Sequence, residues 1–354
     1  MVLSLLKVFV PAFVAFVIGI GLTPLVTHYL YKYKVWKKAA GKTALDGGTA
    51  VEFAKLRGET ETRTPRMGGI VIWAAVAATT FLLVVLAYFF PNSAAPKFDF
   101  LSRSQTWIPL VTLLLGAFVG FLNDMLDVSS PSGEKGIPLR WRLLFVSYLA
   151  LFIGWWFYAK LAVDAVSLPW GGALYLGWLI VPFFMVVTVF LYASGVIDGI
   201  DGLSGGVFGS IFFAYALIAF EQNQIDIAAF CATVVGALLA FLWFNIPPAR
   251  FWMTETGSMG LTMTIAVVAF MTDTLGGGKG ISALPVIAFI LVATVFSNII
   301  QVFSKRFFGR KVFRIAPLHH HFEAIGWPGY KVTMRYWILS IIFAILGVSL
   351  ALLK

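Results

Sequence analysis

Long apolar stretches recur along this 354-residue chain and constrain its fold more than any other feature. Each is about 20 residues long, the length that an α-helix needs to cross a bilayer. Only 12% of the residues are charged, about half the fraction of soluble domains, which excludes a soluble globular fold. We therefore predict an all-α polytopic membrane protein. About ten transmembrane helices are expected near residues 8–31, 67–90, 107–122, 143–163, 174–193, 205–220, 225–244, 259–275, 283–303 and 336–353.

The remaining segments are short, so the sequence predicts one integral-membrane domain over residues 1–354. The first apolar stretch is too long for a signal peptide and is interpreted as a retained anchor. Residues 163–175 differ from the helical pattern, because Pro169-Trp170-Gly171-Gly172 supplies a turn between two short apolar segments. That arrangement predicts a small β-hairpin.

Lys and Arg are distributed unevenly between the loops. Of the 26, 20 fall in segments 32–66, 123–142, 250 and 305–335, which follow odd-numbered spans. By the positive-inside rule these loops are cytoplasmic, and an even number of spans then places both termini outside. Most of the basic residues in the first loop need no role in substrate binding, because orienting the protein and attracting lipid head groups explain them.

Three of the four histidines are consecutive, His319, His320 and His321, within an Ala-Pro-Leu-His-His-His-Phe-Glu motif. Basic residues surround them, in a chain that is otherwise strongly apolar. Such a protonatable cluster predicts contact with an anionic group, and phosphate at the membrane surface fits best. A solvated loop and a zinc site are the alternatives, although adjacent histidines do not readily all reach one metal.

Carboxylates stand at the ends of three predicted spans on the same predicted face. Asn123 and Asp124 close the third span, Asp198 and Asp201 lie in Gly-Val-Ile-Asp-Gly-Ile-Asp-Gly-Leu, and Glu255 lies in Met-Thr-Glu-Thr-Gly-Ser. Each motif alone is also compatible with a helix cap or a turn. Carboxylates repel a pyrophosphate unless a divalent cation lies between them, so their coincidence predicts Mg²⁺.

Taken in order, these motifs resemble the phospho-N-acetylmuramoyl-pentapeptide transferase family over nearly the whole chain, together with Arg63-Thr-Pro-Arg-Met-Gly-Gly69 and Phe244-Asn-Ile-Pro-Pro-Ala249. The resemblance implies transfer of phospho-MurNAc-pentapeptide from UDP-MurNAc-pentapeptide to undecaprenyl phosphate, which yields lipid I and UMP with Mg²⁺. It further implies a bacterial cytoplasmic membrane protein, a periplasmic hairpin, an active site formed by cytoplasmic loops, and a homodimer among membrane lipids. Nucleic acid is not an expected partner.

The resemblance and the chemistry together suggest roles for the site residues. Glu255 and Asp201 are expected to hold the metal, Asp124 to position or deprotonate the lipid phosphate, and Asp198 to serve local structure or the nucleotide. His319, His320 and His321 are all candidate catalytic residues. His319 and His320 are expected to contact the donor phosphate or sugar, with a structural role left open for His321. Expected substrate-binding residues are Arg66, Asn123, Gly195 and Asn245, with Phe251 and Trp252 as weaker candidates for stacking on uracil.

Four positions depart from the residues usual in that family: Asn123 and Glu255 replace aspartate, Asp127 replaces lysine, and Gly195 replaces asparagine. They affect the expected metal geometry and nucleotide contacts, and a divergent active enzyme is favoured over a retasked one. Two other functions stay open, a transferase for UDP-N-acetylhexosamine and a lipid-phosphate transporter or flippase. The charges lie at span ends and not at mid-membrane, which disfavours a transporter.

Overall fold

The computed structural model describes residues 2–38, 62–102, 105–130 and 136–353, so most of the basic first loop lies outside the described ranges. Within them, nine helical segments are long and apolar enough to cross a membrane, which confirms the predicted all-α polytopic fold. The helices are α1 Val2–Lys32, α2 Ile70–Phe89, α3 Trp107–Ser129, α4 Leu139–Leu161, α5 Ile180–Ala193, α6 Leu203–Glu221, α7 Ile225–Asn245, α8 Glu255–Met271, α9 Gly280–Ile287, α10 Phe289–Phe308, α11 Leu318–Ala324 and α12 Gly329–Leu352.

Helix α8 is shorter than the nine segments, yet it is the most enclosed, since every residue after Glu255 is buried. It packs mainly against α3 and α5. The hydroxyls of Thr262 and Thr264 donate to the carbonyls of Ser258 and Gly260 at 2.8 and 2.7 Å, one turn earlier. Their polarity is thus satisfied inside an apolar bundle. Helix α8 brings the described apolar helices to the predicted number of about ten.

Glycines bring α3 and α8 into backbone contact. A β-carbon at Gly116 would lie 2.8 Å from the Cα of Gly260, and one at Gly120 would overlap the carbonyl oxygen of Glu255. Small residues permit this close approach between membrane helices. As a result Asp124, one turn beyond Gly120 on α3, meets the first turn of α8.

The predicted hairpin is confirmed. Strand β1 (Ala165–Ser167) pairs antiparallel with β2 (Ala173–Tyr175). Gly171 and Gly172 in the turn have φ values of +100° and +77°, a region that glycine adopts without steric cost. Asp273 anchors the hairpin to the bundle, because its two oxygens accept the backbone N–H groups of Ser167 at 2.8 Å and Ile281 at 3.1 Å.

Three predictions about local structure were wrong. The span expected at 283–303 consists of two helices, α9 and α10, which meet at Ala288 (φ −95°, ψ 26°). Helix α3 continues to Ser129, so Asn123 and Asp124 lie inside a helix and not in a loop after it. The histidines form the short helix α11. A hydropathy window registers apolar content, which stays high across the break at Ala288 and falls at Asn123 although the helix continues.

Candidate active site

The segment between α7 and α8 forms the centre of the candidate site. It lies against the chain that precedes α2, where the N–H of Gly68 donates to the carbonyl of Trp252 at 2.7 Å. A β-carbon at Gly69 would overlap the backbone of Gly257. The Arg-Met-Gly-Gly motif and the Thr-Glu-Thr-Gly motif, far apart in sequence, are therefore in direct backbone contact.

Asp124 joins α3 to the first turn of α8. Its Oδ2 accepts hydrogen bonds from the Thr254 hydroxyl at 2.6 Å and from the N–H and hydroxyl of Thr256 at 2.8 and 2.7 Å. Its Oδ1 accepts Nη2 of Arg66 at 3.2 Å. A carboxylate at a helix N-terminus is stabilised by the unpaired N–H groups and by the helix dipole. Asp124 is fully buried, so its predicted contact with the lipid phosphate requires the site to open.

Thr254 bonds to the buried Asp124 and to the partly buried Asp198 from a strained backbone. Its φ and ψ are +54° and −169°, in a region occupied almost only by glycine, where other residues cost about 1–3 kcal/mol. Its N–H donates to Oδ2 of Asp198 at 2.6 Å, and its hydroxyl accepts the N–H of Met67 at 3.1 Å while donating to Asp124. These contacts hold the strained conformation and bring Asp124 and Asp198 to one residue.

Replacing Thr254 with valine is expected to destabilise the protein by about 1–3 kcal/mol, because Asp124 and the N–H of Met67 lose a buried partner. Thr254→Ser keeps the hydroxyl and should stay within about 1 kcal/mol of the parent protein. Thermal unfolding in detergent measures both. Thr264→Val is the matched control, since it removes only a bond to the residue's own helix. Equal effects of valine at positions 254 and 264 would contradict the proposed role of Thr254.

Asp198 is held in the loop before α6. Its Oδ1 accepts the hydroxyl of Ser204 at 2.6 Å, and its Oδ2 accepts the N–H of Thr254. Burial raises the pKa of Asp198, an effect that these two hydrogen bonds partly offset. Because Asp198 follows a 3₁₀ turn and α6 begins at Leu203, Asp198 and Asp201 both lie in the connection between these two helices.

Asp201 holds the segment before α8. Its Oδ1 accepts the indole N–H of Trp252 at 3.0 Å, and its Oδ2 accepts the N–H of Ala249 at 3.1 Å. The Trp252 ring is half-buried, so one part of it stays accessible. Phe251 is fully buried and packs against Phe241, so its ring is not open to stacking on uracil in this structure. Trp252 remains the candidate for stacking on uracil.

His319 and His320 face the aspartate loop. A β-carbon at Gly199 would lie 2.8 Å from Nε2 of His319 and 2.6 Å from Nε2 of His320, so only glycine fits between Asp198 and Asp201 at this point. Nδ1 of His320 lies 2.8 Å from Oε2 of Glu323. An ionised carboxylate accepts only, so Nδ1 carries the proton of this pair and the Nε2 atom faces Gly199. Both histidines are buried.

His321 points away from that pair. Its Nδ1 accepts the backbone N–H of Arg314 at 3.2 Å, and its ring contacts the edge of Phe313. Burial and the guanidinium of Arg314 lower the pKa of His321, which favours the neutral ring that this hydrogen bond requires. The structure therefore gives His321 a local structural contact.

Two arginines balance the remaining carboxylates. Nη1 of Arg142, in the first turn of α4, lies 2.5 Å from Oε1 of Glu255, and both side chains are partly exposed. Nη2 of Arg66 lies 3.2 Å from Oδ1 of Asp124 and 3.4 Å from Oδ2 of Asp127. The site thus contains five carboxyl groups, on Asp124, Asp127, Asp198, Asp201 and Glu255, and two guanidinium groups, with histidines at its border.

The sequence was compared with known proteins. The profile of glycosyl transferase family 4 matches residues 106–273. The Phospho-N-acetylmuramoyl-pentapeptide-transferase of Geobacillus kaustophilus is 34% identical over 343 residues, 95% of each chain. The proteins of the same name from Geobacillus thermodenitrificans and Bacillus cytotoxicus are each 33% identical, over 95% and 96% of each chain.

This chain belongs to the phospho-N-acetylmuramoyl-pentapeptide transferase family. The resemblance predicted from the motifs is confirmed, and the chain is a transferase embedded in a membrane. The profile match covers the four carboxylates Asp124, Asp198, Asp201 and Glu255, while the histidine helix α11 lies outside it.

Several predicted substrate-binding residues of the transferase have structural contacts. The side-chain oxygen of Asn123 accepts the N–H of Ile137 at 2.9 Å. Asn245 accepts the N–H of Gly202 at 3.0 Å and donates to the carbonyl of Phe251 at 2.7 Å. Asn123 and Asn245 thus tie loops together at the site. A β-carbon at Gly195 would be 3.4 Å from the Ser258 hydroxyl, an ordinary contact, so glycine is not required there by space.

The sequence did not single out Arg142, Thr254, Thr256 or Ser204. Arg142 was counted only as a loop cation, and nothing in its local sequence points to Glu255, 113 positions away. Thr254 and Thr256 flank Glu255 in a Thr-Glu-Thr motif. Such a motif is typical of a helix start, where threonine side chains bond to the first turn.

The transferase's carboxylates offer hard oxygen donors of the kind that Mg²⁺ prefers. Among the residues that the structure describes, no group of three or more His, Cys, Asp or Glu side chains is gathered closely enough to hold a metal ion. Mg²⁺ is usually bound by one or two carboxylates with substrate phosphates and water completing the octahedron, so the donor chemistry fits without a larger cluster. Glu255 is one of the partly exposed carboxylates at the site, together with Asp127, Asp198 and Asp201.

Proposed function

We propose that this transferase moves phospho-MurNAc-pentapeptide from UDP-MurNAc-pentapeptide to undecaprenyl phosphate in peptidoglycan synthesis. The observation that carries the proposal is the close approach of Gly199 to His319 and His320, which joins the aspartate loop and the histidine motif into one site. An oxygen of the lipid phosphate attacks the phosphorus that bears the sugar. The pyrophosphate bond to UMP breaks, UMP leaves, and a new pyrophosphate links sugar and lipid as lipid I.

The acceptor phosphate needs little activation. A phosphate monoester has a second pKa near 6, so at neutral pH it is mostly dianionic and already nucleophilic. The main barriers are the repulsion between two phosphorylated substrates and their mutual orientation. In this proposal His319 and His320 contact the donor: a sugar hydroxyl can donate to the neutral Nε2 of His320, and a phosphate oxygen can accept from it when the ring is doubly protonated. Asp198 supports the loop that positions them, through Ser204 and Thr254.

Magnesium is proposed as the cofactor. Glu255 would supply a ligand, with Asp201 as the predicted second carboxylate and the donor diphosphate completing the coordination. When bound, the ion would neutralise charge that develops on the bridging oxygen as UMP leaves. Arg142 beside Glu255 holds that side chain in place at the start of α8. Arg66 offsets the negative charge that Asp127 adds near the nucleotide.

The direct test is UMP release by the purified protein in the presence of undecaprenyl phosphate, with and without Mg²⁺. UDP-MurNAc-pentapeptide is expected to be the better donor, and UDP-N-acetylglucosamine the poorer one. Release only from the second donor would favour the related hexosamine transferase. Movement of undecaprenyl phosphate between leaflets of sealed vesicles, without UMP release, would favour a transporter instead.

The site is proposed to face the cytoplasm of a bacterium, with both termini outside and the hairpin in the periplasm. The division of Lys and Arg supports this orientation. A homodimer is also proposed from the family resemblance.

A cysteine at the exposed position Lys311 is expected to react with a membrane-impermeant thiol reagent only from the cytoplasmic side, and one at exposed Asn92 only from outside. The parent protein is the control, because its single cysteine, Cys231, is buried. Labelling of Lys311→Cys and Asn92→Cys from the same side would contradict the ten-span orientation.

A further inference from the structure

A cavity of about 490 Å³ lies beside the candidate active site, where the ends of α1 and α7 meet. Two basic side chains line it, Lys32 from α1 and Arg250 from the loop after α7. Its other walls include His28, Tyr31 and Phe244. None of these residues belongs to the catalytic motifs or has a role in the proposed reaction.

The position of the cavity corresponds to the edge of a bilayer. Lys32 is the last residue of a membrane span, and α7 ends at Asn245, five residues before Arg250. Tyr29 and Tyr33, on the same end of α1, are exposed and stack on one another. Tyrosines concentrate where the apolar core of a membrane meets the head groups.

The charges in the cavity are not balanced within the described part of the chain. The guanidinium of Arg250 lies 5.5 Å from the centre of the Phe244 ring, and Nζ of Lys32 lies 5.8 Å from that of Tyr33. Within the described ranges neither cation forms an ion pair with a carboxylate. Two cations and a histidine around one space favour an anion with several oxygens, such as a phosphate ester.

The surroundings favour a lipid as the carrier of that phosphate. Leu25, two turns before Lys32 on α1, is 58% exposed, and Trp243, beside Phe244 on α7, is 67% exposed. Both lie on membrane spans, so an acyl chain that leaves the cavity toward the apolar core meets apolar side chains. Basic pockets between membrane helices bind anionic head groups in this way.

We propose that this cavity binds the head-group phosphate of an anionic bilayer phospholipid, with Lys32 and Arg250 as its counter-charges. The bound lipid would also stabilise the segment between α7 and α8, which carries Arg250 and Trp252. The Tyr31 hydroxyl donates to the carbonyl of Arg250 at 3.1 Å, and Trp252, two residues further on, donates to Asp201. The proposal does not depend on which sugar the enzyme transfers.

The test is native mass spectrometry of the delipidated protein in detergent, titrated with phosphatidylglycerol. The Lys32→Gln/Arg250→Gln variant should bind this lipid about 30-fold more weakly, because each cation near an anionic lipid contributes about 1 kcal/mol and about 1.4 kcal/mol is tenfold. Arg310→Gln/Lys311→Gln, with the same charge loss at exposed positions outside the cavity, should bind like the parent. The Lys32→Arg/Arg250→Lys variant keeps both charges and should retain binding. It therefore shows that weaker binding by the double glutamine variant comes from the lost charge and not from misfolding.

Three competitors identify the carrier. Phosphatidylcholine and soluble glycerol phosphate should fail to displace phosphatidylglycerol, the first for lack of net charge and the second for lack of acyl chains. Equal phosphatidylglycerol binding by the parent and the double glutamine variant would overturn the proposal. Displacement by glycerol phosphate would assign the cavity to free phosphate esters, and preferential displacement by undecaprenyl phosphate would assign it to the acceptor. Either of these results would also overturn the bilayer-lipid assignment.

Discussion

Replacing His319 and His320 together with alanine is expected to lower kcat/KM for UMP release by about 100-fold or more, the scale of losing positioned polar contacts in a transition state. The two imidazole Nε2 atoms face Gly199, so their removal takes away the groups that border the aspartate loop. Steady-state kinetics with the UDP-linked donor as the varied substrate measure the effect. Thermal unfolding in detergent shows whether the variant stays folded.

His321→Ala is the matched control, because this neighbouring side chain bonds to Arg314 and points away from the pair. We expect its kcat/KM to stay within about threefold of the parent, since it loses no contact with the aspartate loop. A further variant, Glu323→Gln, keeps the shape of the partner that holds Nδ1 of His320 but removes its charge, and should have an intermediate effect. Parent-like rates in a stable His319→Ala/His320→Ala protein would refute the proposed contact with the donor.

Glu255→Gln is expected to reduce kcat by about 100-fold, and by more when Mg²⁺ is limiting, because the amide replaces a charged ligand of the metal. Glu255→Asp keeps the charge and should retain turnover. The measurement is kcat as a function of Mg²⁺ concentration for each variant.

The ion pair with Arg142 offers a competing explanation that a double-mutant cycle separates. If Glu255 served only to pair with Arg142, then Arg142→Gln alone would lose as much activity as Glu255→Gln, and combining them would add nothing. The proposal predicts instead that Arg142→Gln costs less than Glu255→Gln and leaves the dependence on Mg²⁺ in place. Equal losses with an unchanged Mg²⁺ dependence would remove Glu255 from the metal site.

Much of the architecture was predictable from local patterns. Apolar stretches of bilayer length predicted the membrane spans, and the Pro-Trp-Gly-Gly turn predicted the hairpin at Ala165–Tyr175. Both are properties of a few neighbouring residues, because a membrane span must satisfy its backbone hydrogen bonds within its own helix. The motifs also identified the family, since they occur in the same order along the chain.

The contacts that build the site were decided by tertiary packing. Asp124 was flagged from sequence, but its hydrogen bonds to Thr254 and Thr256 link residues 130 and 132 positions apart. They exist because Gly120 lets α3 approach the start of α8, a distance that no local pattern contains. The approach of Gly199 to the histidine pair arises in the same way. The sequence by itself determined which chemical groups this protein carries at the ends of its spans, whereas helix packing decided which of them share hydrogen bonds, because such bonds require atoms within about 3 Å of each other.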